Sequence, residues 1–252
     1  MKKLASILFL SFFVLNSFAQ NSEAPIDFSR FGTPVTSPMY VNRSITNELI
    51  RELERANQSK TPEELNEAIL NNLEGTPYMN NEFEKGEILA VDGTHLTGTL
   101  LRYNIFNNKM EVKENEILYE LSNELIQRIK IDDRIYDYLL FQISEKEYTG
   151  YLELIQDGKW NLYCRYTKKF REAQPQKAQQ DKPNPASFRD LPDVYLLKKD
   201  ENSFAIGFRN KKELLNIFPL HKEEVQNYMK NQKIKLNNPD DLKKLVNYYN
   251  SL

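Results

Sequence analysis

Two histidines and one cysteine are the side chains in this sequence that are best suited to acid–base or nucleophilic chemistry. His95 follows an Asp92-Gly93 turn, and His221 immediately precedes a helical segment. Neither has a second histidine at the spacing of a zinc site, and no Gly-x-Ser-x-Gly segment exposes a serine for a catalytic triad. We therefore interpret both histidines as surface residues and predict no catalytic residue.

Cys164 lies in an alternating apolar segment after the Asp157-Gly158 hairpin signal. Strand geometry places the alternate residues on one buried face, where we expect Leu152 and Leu154 of the preceding strand as cross-strand neighbours. Cys164 is then a small apolar core residue rather than a nucleophile, and as the only cysteine it forms no intramolecular disulfide. The residues of this face are Trp160, Leu162, Cys164 and Tyr166.

The acidic pairs Asp132-Asp133 and Asp240-Asp241 are the remaining candidates for a metal site. The first pair precedes a predicted strand and is typical of a turn. The second lies in the first turn of a predicted helix, where acidic residues stabilise the helix dipole. No segment matches the calcium-binding loop. We therefore predict no metal ion and no cofactor.

Tyrosines of the predicted strands are the residues best suited to contact a ligand. Tyr136 and Tyr138 share one strand face, opposite Ile135 and Leu139. An open face would present these rings to a glycan or a peptide. A covered face would make them part of the core, which is the interpretation we favour. The candidate ligand contacts are Tyr136, Tyr138, Tyr151 and Tyr163.

Residues 75–208 are predicted to form an antiparallel β domain. From Phe83 onward the apolar residues alternate as they do in strands. Short turns such as Asn107-Asn108 and Asp157-Gly158 make successive strands antiparallel neighbours. The predicted fold class is α+β, with a large, curled antiparallel β-meander that reaches at most a half-barrel.

Helices are predicted on both sides of this domain. Residues 44–74 have helical spacing and form an N-terminal helical arm. Residues 209–252 form short, capped helices that pack on the sheet. The expected C-terminal helices are Lys211–Phe218, Lys222–Asn231 and Pro239–Tyr249.

Two segments lack the pattern of packed structure. Residues 20–43 contain several prolines and no apolar period, which indicates an extended or disordered leader. Residues 173–186 are polar and rich in Pro and Gln, which predicts a mobile loop.

Residues 1–19 have the pattern of a cleaved secretory signal peptide. Lys2 and Lys3 precede an apolar run over residues 4–15, and Ser17-Phe18-Ala19 places small residues at the positions that signal peptidase reads. The run is shorter than the roughly 20 residues of a membrane-spanning helix, so we expect no transmembrane segment in the mature chain. Gln20, not a cysteine, directly follows the cleavage position, so a lipoprotein is not expected. The predicted location is the periplasm or the outer surface.

The net charge of −2 argues against nucleic acid as a partner, because nucleic-acid-binding proteins carry a basic excess.

Two segments resemble a pattern found in uncharacterised exported proteins of Gram-negative bacteria. They are Leu101–Glu111 (LRYNIFNNKME) and Asp240–Asn250 (DDLKKLVNYYN). The resemblance implies a cell-envelope location and a common fold. It implies no activity, and we transfer no functional residue from it.

Together these features favour a non-enzymatic, exported cell-envelope protein that acts as a binding or accessory scaffold module. Its partner is expected to be another envelope protein, or a hydrophobic or glycan ligand. The alternative is a periplasmic carrier that holds a hydrophobic ligand in its curled sheet. A hydrolase is the least favoured of the three. A continuous apolar cavity would favour the carrier, whereas a solid core would favour the binding module.

Overall fold

The computed structural model describes residues 26–35, 73–171, 186–200 and 202–252. Within these ranges the chain is mostly β-structure followed by three α-helices. The strands are β1 Gly32–Pro34, β2 Glu84–Ala90, β3 His95–Asn104, β4 Lys109–Glu114, β5 Ile117–Leu121, β6 Ile126–Ile131, β7 Arg134–Ile143, β8 Lys146–Gln156, β9 Asn161–Arg165, β10 Lys168–Arg171, β11 Ser187–Asp190, β12 Val194–Lys198 and β13 Ala205–Phe208. The helices are α1 Lys211–Ile217, α2 Lys222–Asn231 and α3 Pro239–Asn250.

Five of these strands close into a small barrel, in the order β7-β13-β12-β9-β8 and back to β7. Four of the pairings are antiparallel, but β13 pairs with β7 in parallel, through Ala205 opposite Phe141 and Ile206 opposite Gln142. The α+β class and the predominantly antiparallel sheet are thus confirmed. Curling goes beyond the expected half-barrel in this part of the sheet, because the late strand β13 returns to pair with the C-terminal end of β7.

The barrel interior is filled with side chains. Residues of β7 that point inward alternate with residues that point outward, as the strand period requires. The buried inner cluster consists of Phe141, Ile143, Leu152, Tyr163, Leu196 and Ala205, with Leu139, Leu154 and Val194 packed against it. Such close packing is the usual state of a small barrel.

The remaining strands of the large sheet continue from β7 in the order β6-β2-β3-β4-β5-β1. They fold over a second core, which includes Ile88, Leu101 and Met110. Phe28 and Phe31 are buried in this core, and β1 pairs with β5. Residues 26–35, which lie within the segment 20–43 that is predicted to be an extended or disordered leader, are therefore packed against the sheet.

Two other predicted segments fall largely outside the described residues. They are the helical arm over residues 44–74 and the mobile loop over residues 173–186. Their described ends are packed together, since the backbone N–H of Glu74 donates to the carbonyl of Ala186 at 3.0 Å. Glu74 also forms a parallel bridge with Ser187.

The three C-terminal helices agree with their predicted bounds to within one residue. Asn238 caps α3 by accepting hydrogen bonds from the N–H groups of Asp240 and Asp241, and Pro239 occupies the first turn. The helices cover the outer wall of the barrel. Trp160 packs there edge-on against Phe218, at 5.7 Å between ring centroids. None of the helices in the described ranges is long and apolar enough to span a bilayer.

Trp160, Leu162, Cys164 and Tyr166 belong to one cluster, as their alternation predicts. The expected cross-strand neighbours of this face are wrong. Leu154 lies opposite Tyr163, so Leu152 and Leu154 point into the barrel. Glu153 is the residue opposite Cys164, and Ile155 supplies the apolar contact with the helix-covered face.

Asn250 joins the end of α3 to the β8–β9 hairpin. Its Oδ1 accepts from the N–H of Trp160 at 2.8 Å, and its Nδ2 donates to the carbonyl of Trp160 at 3.0 Å. Gly158 makes room for this amide, since a Cβ there would collide with Nδ2 of Asn250. One side chain thus satisfies both backbone groups of a residue that is distant in the chain.

We expect Asn250→Asp to lower the free energy of unfolding by roughly 1–3 kcal/mol, because a carboxylate cannot donate to the Trp160 carbonyl. The control is Asn247→Asp, which adds the same charge at an exposed position of α3 and should change stability by less than about 0.5 kcal/mol. Urea unfolding followed by Trp160 fluorescence measures both values. Equal effects of the two substitutions would contradict the proposed link.

Candidate functional site

Three of the four candidate tyrosines lie together where the barrel meets the rest of the sheet. Tyr136, Tyr138 and Tyr151 point out of the barrel wall, and Tyr138 is opposite Tyr151 in the β7–β8 ladder. Tyr103 of β3 packs against them, with its ring centroid 5.2 Å from Tyr136 and 6.0 Å from Tyr151. Tyr138 is partly exposed, whereas the other rings are buried. These tyrosines therefore form the contact between the five-stranded barrel and the rest of the large sheet.

Tyr163 lies apart from the other three, inside the barrel. Its hydroxyl donates to Oδ2 of Asp137 at 2.9 Å. The same carboxylate receives two hydrogen bonds from Arg128, at 2.6 and 2.8 Å. Burial is the main cause that raises the pKa of Tyr163, and the charge of Asp137 adds to it. Tyr163 is thus a hydrogen-bonded part of the barrel interior.

A polar cleft of about 280 Å³ opens beside Tyr136 and Tyr103. It lies between the segment 79–84 and the β6–β7 turn. Of the four candidate tyrosines, Tyr136 is the one that lines it. The other lining residues are Met79, Asn80, Glu82, Glu84, Arg102, Tyr103, Ile131, Asp132 and Arg134.

Arg102 fixes one wall of this cleft. Its guanidinium carbon lies 3.8 Å from the ring centroid of Tyr78 and 4.2 Å from that of Phe83. Its Nε and Nη2 donate to Oε2 of Glu111, at 3.2 and 2.8 Å, and its Nη1 donates to the carbonyl of Asn81 at 3.0 Å. The carboxylate of Glu111 is 0% exposed. A stacked and doubly bonded guanidinium has one geometry, so this wall is rigid.

Arg134 supplies the accessible positive charge of the cleft. Its side chain is 48% exposed, and its Nη1 lies 3.4 Å from Oε2 of Glu153 and 3.1 Å from the sulfur of Met79. Burial has the largest effect on the pKa of Tyr136 and raises it, and the charge of Glu153 acts in the same direction, whereas a hydrogen bond to Arg134 lowers it. The cleft therefore presents a guanidinium that is held on one side and open on the other.

Cys164 lies behind this region and is 1% exposed. Burial, followed by the charge of Asp193, raises the pKa of its thiol to about 12. A hydrogen bond to Tyr166 acts in the opposite direction but is weaker. At neutral pH the thiol is protonated, and a protonated, buried thiol is a poor nucleophile.

The two histidines are surface residues in separate elements. His95 begins β3 and lies 3.0 Å from Oε2 of Glu87, between Nε2 and the carboxylate. His221 precedes α2 with a φ of 57°, and its Nδ1 lies 3.2 Å from Oε1 of Glu224. Within the described ranges, no group of three or more His, Cys, Asp or Glu side chains could hold a metal ion.

No protein-family model matches this sequence, and no curated protein or solved structure shows significant similarity to it. The resemblance to exported envelope proteins therefore stays a prediction. The polar cleft has to be interpreted from its own geometry.

Sequence reasoning found Tyr136 but missed the two arginines of the cleft. Arg102 and Glu111 face each other across the β3–β4 hairpin, a register that the sequence alone leaves open. The signal that points to them is the alternation of charged residues with apolar ones in both strands, which places Arg102 on the face away from Leu101 and Tyr103. Arg134 directly follows the Asp132-Asp133 turn, and its position gives no such signal.

We expect alkaline pH to destabilise this protein through two buried groups, the thiol of Cys164 and the hydroxyl of Tyr195. Burial raises the pKa of Cys164 to about 12 and that of Tyr195 to about 12. The unfolded chain loses these protons at about pH 8.5 and 10, so the folded state binds more protons between those values and about pH 12. The free energy of unfolding must therefore fall as the pH rises above about 9.

The measurement is the urea midpoint at about pH 8 and about pH 10.5. Cys164→Ala removes one of the two groups and should therefore reduce the fall. A midpoint that stays constant over this range would show that these groups are accessible in the folded state.

Proposed function

We propose that this protein is a non-enzymatic, exported component of the cell envelope, a binding or accessory scaffold module that contacts its partner through the polar cleft. Export and an envelope location rest on the basic start, the apolar run and the small residues of positions 1–19. The location within this proposal is the periplasm or the outer surface.

The observation that carries the binding proposal is the guanidinium of Arg134 at the mouth of a pre-formed cleft. Arg102 is stacked between two rings and bound to a fully buried carboxylate, so the cleft wall does not have to be ordered when a partner binds. Pre-organisation of this kind lowers the entropic cost of association. The open side of the Arg134 guanidinium is then available to a carbonyl group of the partner, whereas Glu82, Glu84 and Asp132 of the lining disfavour an added carboxylate.

The chemistry of the neighbouring groups favours binding over catalysis. Cys164 is buried and protonated at neutral pH, and each histidine lies on the surface beside a glutamate. The filled barrel likewise favours a binding module over a carrier, because Phe141, Leu152 and Leu196 occupy the interior that a hydrophobic ligand would need.

The cleft is tested by placing a photo-reactive amino acid at Glu82, an exposed lining residue, in the exported full-length protein. The matched position is Lys244, an exposed residue of α3. We expect a cross-linked partner from position 82 and none from position 244. Arg134→Met should reduce this adduct roughly tenfold, which is the effect of losing one charged hydrogen bond.

The control substitution is Arg209→Met, which removes an exposed arginine outside the cleft. Arg134→Lys keeps the charge and provides a second variant if Arg134→Met weakens folding. Adducts of equal yield from both positions, or an adduct that Arg134→Met leaves unchanged, would rule out the cleft as the contact.

The export part of the proposal has its own test. Mass spectrometry of the exported protein should find a chain that begins near Gln20. Recovery of an intact Met1 in the exported fraction would refute a cleaved signal peptide, and would leave the cleft experiment unaffected.

A further inference from the structure

Strand β8 pairs with β7 from its first residue, but it pairs with β9 only near its C-terminal end. On the side away from β7, β9 pairs with Glu153, Leu154 and Gln156 only. The chain then leaves the sheet after Arg165, and β10 pairs with β11 instead. In the described part of the chain, residues 146–150 therefore have no strand on that side, and we call this stretch the β8 edge.

The inner end of the β8 edge is closed by one side chain. Oδ1 of Asn108 accepts from the N–H of Tyr151 at 3.1 Å, in the place where a neighbouring strand would supply a carbonyl. Gly150 permits this approach, since a Cβ there would lie 2.5 Å from Nδ2 of Asn108. Because backbone groups alternate along a strand, the N–H and C=O groups of Thr149 and Glu147 also point away from β7.

Arg165 lies at the point where β9 leaves the sheet. Its guanidinium carbon is 5.1 Å from the ring centroid of Phe141 and 5.0 Å from that of Tyr148. These two rings are themselves stacked, 5.6 Å apart, and Tyr148 belongs to the β8 edge and is 37% exposed. The aromatic pair thus positions a cation next to the free edge.

Arg165 differs from the other partly buried arginines. Arg102 and Arg128 each bind a buried carboxylate. For Arg165, no carboxylate of the described residues lies within ion-pair distance, and burial lowers its pKa. A partly desolvated cation without an anion is unfavourable, and stacking on rings compensates only part of that energy.

We propose that the β8 edge binds an extended segment of a partner protein, and that a Glu or Asp side chain of this segment pairs with Arg165. One ligand then satisfies both features: its backbone continues the line of β9 along residues 147–149, and its carboxylate neutralises the guanidinium. Strand addition provides affinity through the backbone, and a side-chain contact provides selectivity. This inference concerns a second surface, so its test is independent of the test of the polar cleft.

Arg165 supplies the excess positive charge beside the β8 edge. The edge itself carries one residue of each sign, Lys146 and Glu147. The carboxylate of Glu147 is bonded by Nε2 of Gln142 at 3.2 Å and therefore points toward β7 rather than toward the free side. An acidic side chain over Arg165 thus meets a cation first.

The probe is an acetylated and amidated peptide of about eight residues, with Thr and Val alternating around one central Glu, and its matched peptide has Gln at that position. Amidation removes the terminal carboxylate, so binding reports the side chain alone. We expect the Glu peptide to bind the full-length protein roughly tenfold more tightly than the Gln peptide, as expected for one charged hydrogen-bonded contact. Peptide titrations followed by amide chemical shifts should place the change at residues 147–149 and 165.

Two variants separate the two parts of the interaction. Arg165→Gln should remove the preference for Glu over Gln, whereas Arg209→Gln, an exposed arginine elsewhere, should preserve it. Thr149→Pro removes an outward N–H without touching the β7 ladder, so it should weaken both peptides to a similar extent while the unfolding midpoint stays near that of the parent.

Equal affinity for the two peptides would overturn the proposal. So would a preference that survives Arg165→Gln, shifts that map to the polar cleft, or a lack of binding at millimolar concentrations of both peptides. None of these outcomes would alter the cross-linking expected from Glu82.

Discussion

Strand β7 belongs both to the five-stranded barrel and to the rest of the large sheet, and the structure of both parts depends on it. Its first half pairs with β6 and its second half with β13, while β8 runs along its other side. Each face of the strand is therefore buried against different neighbours. Asp137 and Phe141 point into the barrel, and Tyr136 packs against Tyr103 of the outer sheet. A register slip of one residue would exchange these two sets of side chains, so the register of β7 is strongly specified.

Buried ion pairs add to the apolar packing in fixing how neighbouring strands align. Glu111 and Asp137 are almost entirely buried, and each is held by an arginine with two hydrogen bonds. Removal of one partner from such a pair costs about 3–5 kcal/mol, because the other charge stays buried. The net stability that such a pair adds is small, because burying both charges costs about as much as their attraction returns. Arg165 differs from these two arginines because no carboxylate of the described residues lies within ion-pair distance of it, and this is the observation from which we infer a partner at the β8 edge.

Patterns among neighbouring residues predicted the local structure. They did not predict contacts between segments that are distant in the chain. Asn238 and Pro239 define the start of α3 because a cap and its helix are neighbours in sequence. The β3–β4 connection contains four residues, Ile105–Asn108, so Arg102 faces Glu111. A two-residue turn at Asn107-Asn108 would have placed Arg102 opposite Lys113 instead. The parallel pairing of β13 with β7 has no local signature at all, since hydrophobic alternation is the same for either neighbour.

Asn108 connects the two surfaces to which we assign binding. Its φ of 54° is a backbone conformation that asparagine tolerates better than most residues, which explains a short polar residue at this position. Its Oδ1 accepts from the hydroxyl of Tyr103 at 3.0 Å and from the N–H of Tyr151. Tyr103 lines the polar cleft, and Tyr151 ends the β8 edge. One amide oxygen therefore sets the distance between a cleft wall and a strand edge. Among the described residues, this turn docks on Gly150 at the inner end of residues 146–150, where β8 has no second neighbouring strand.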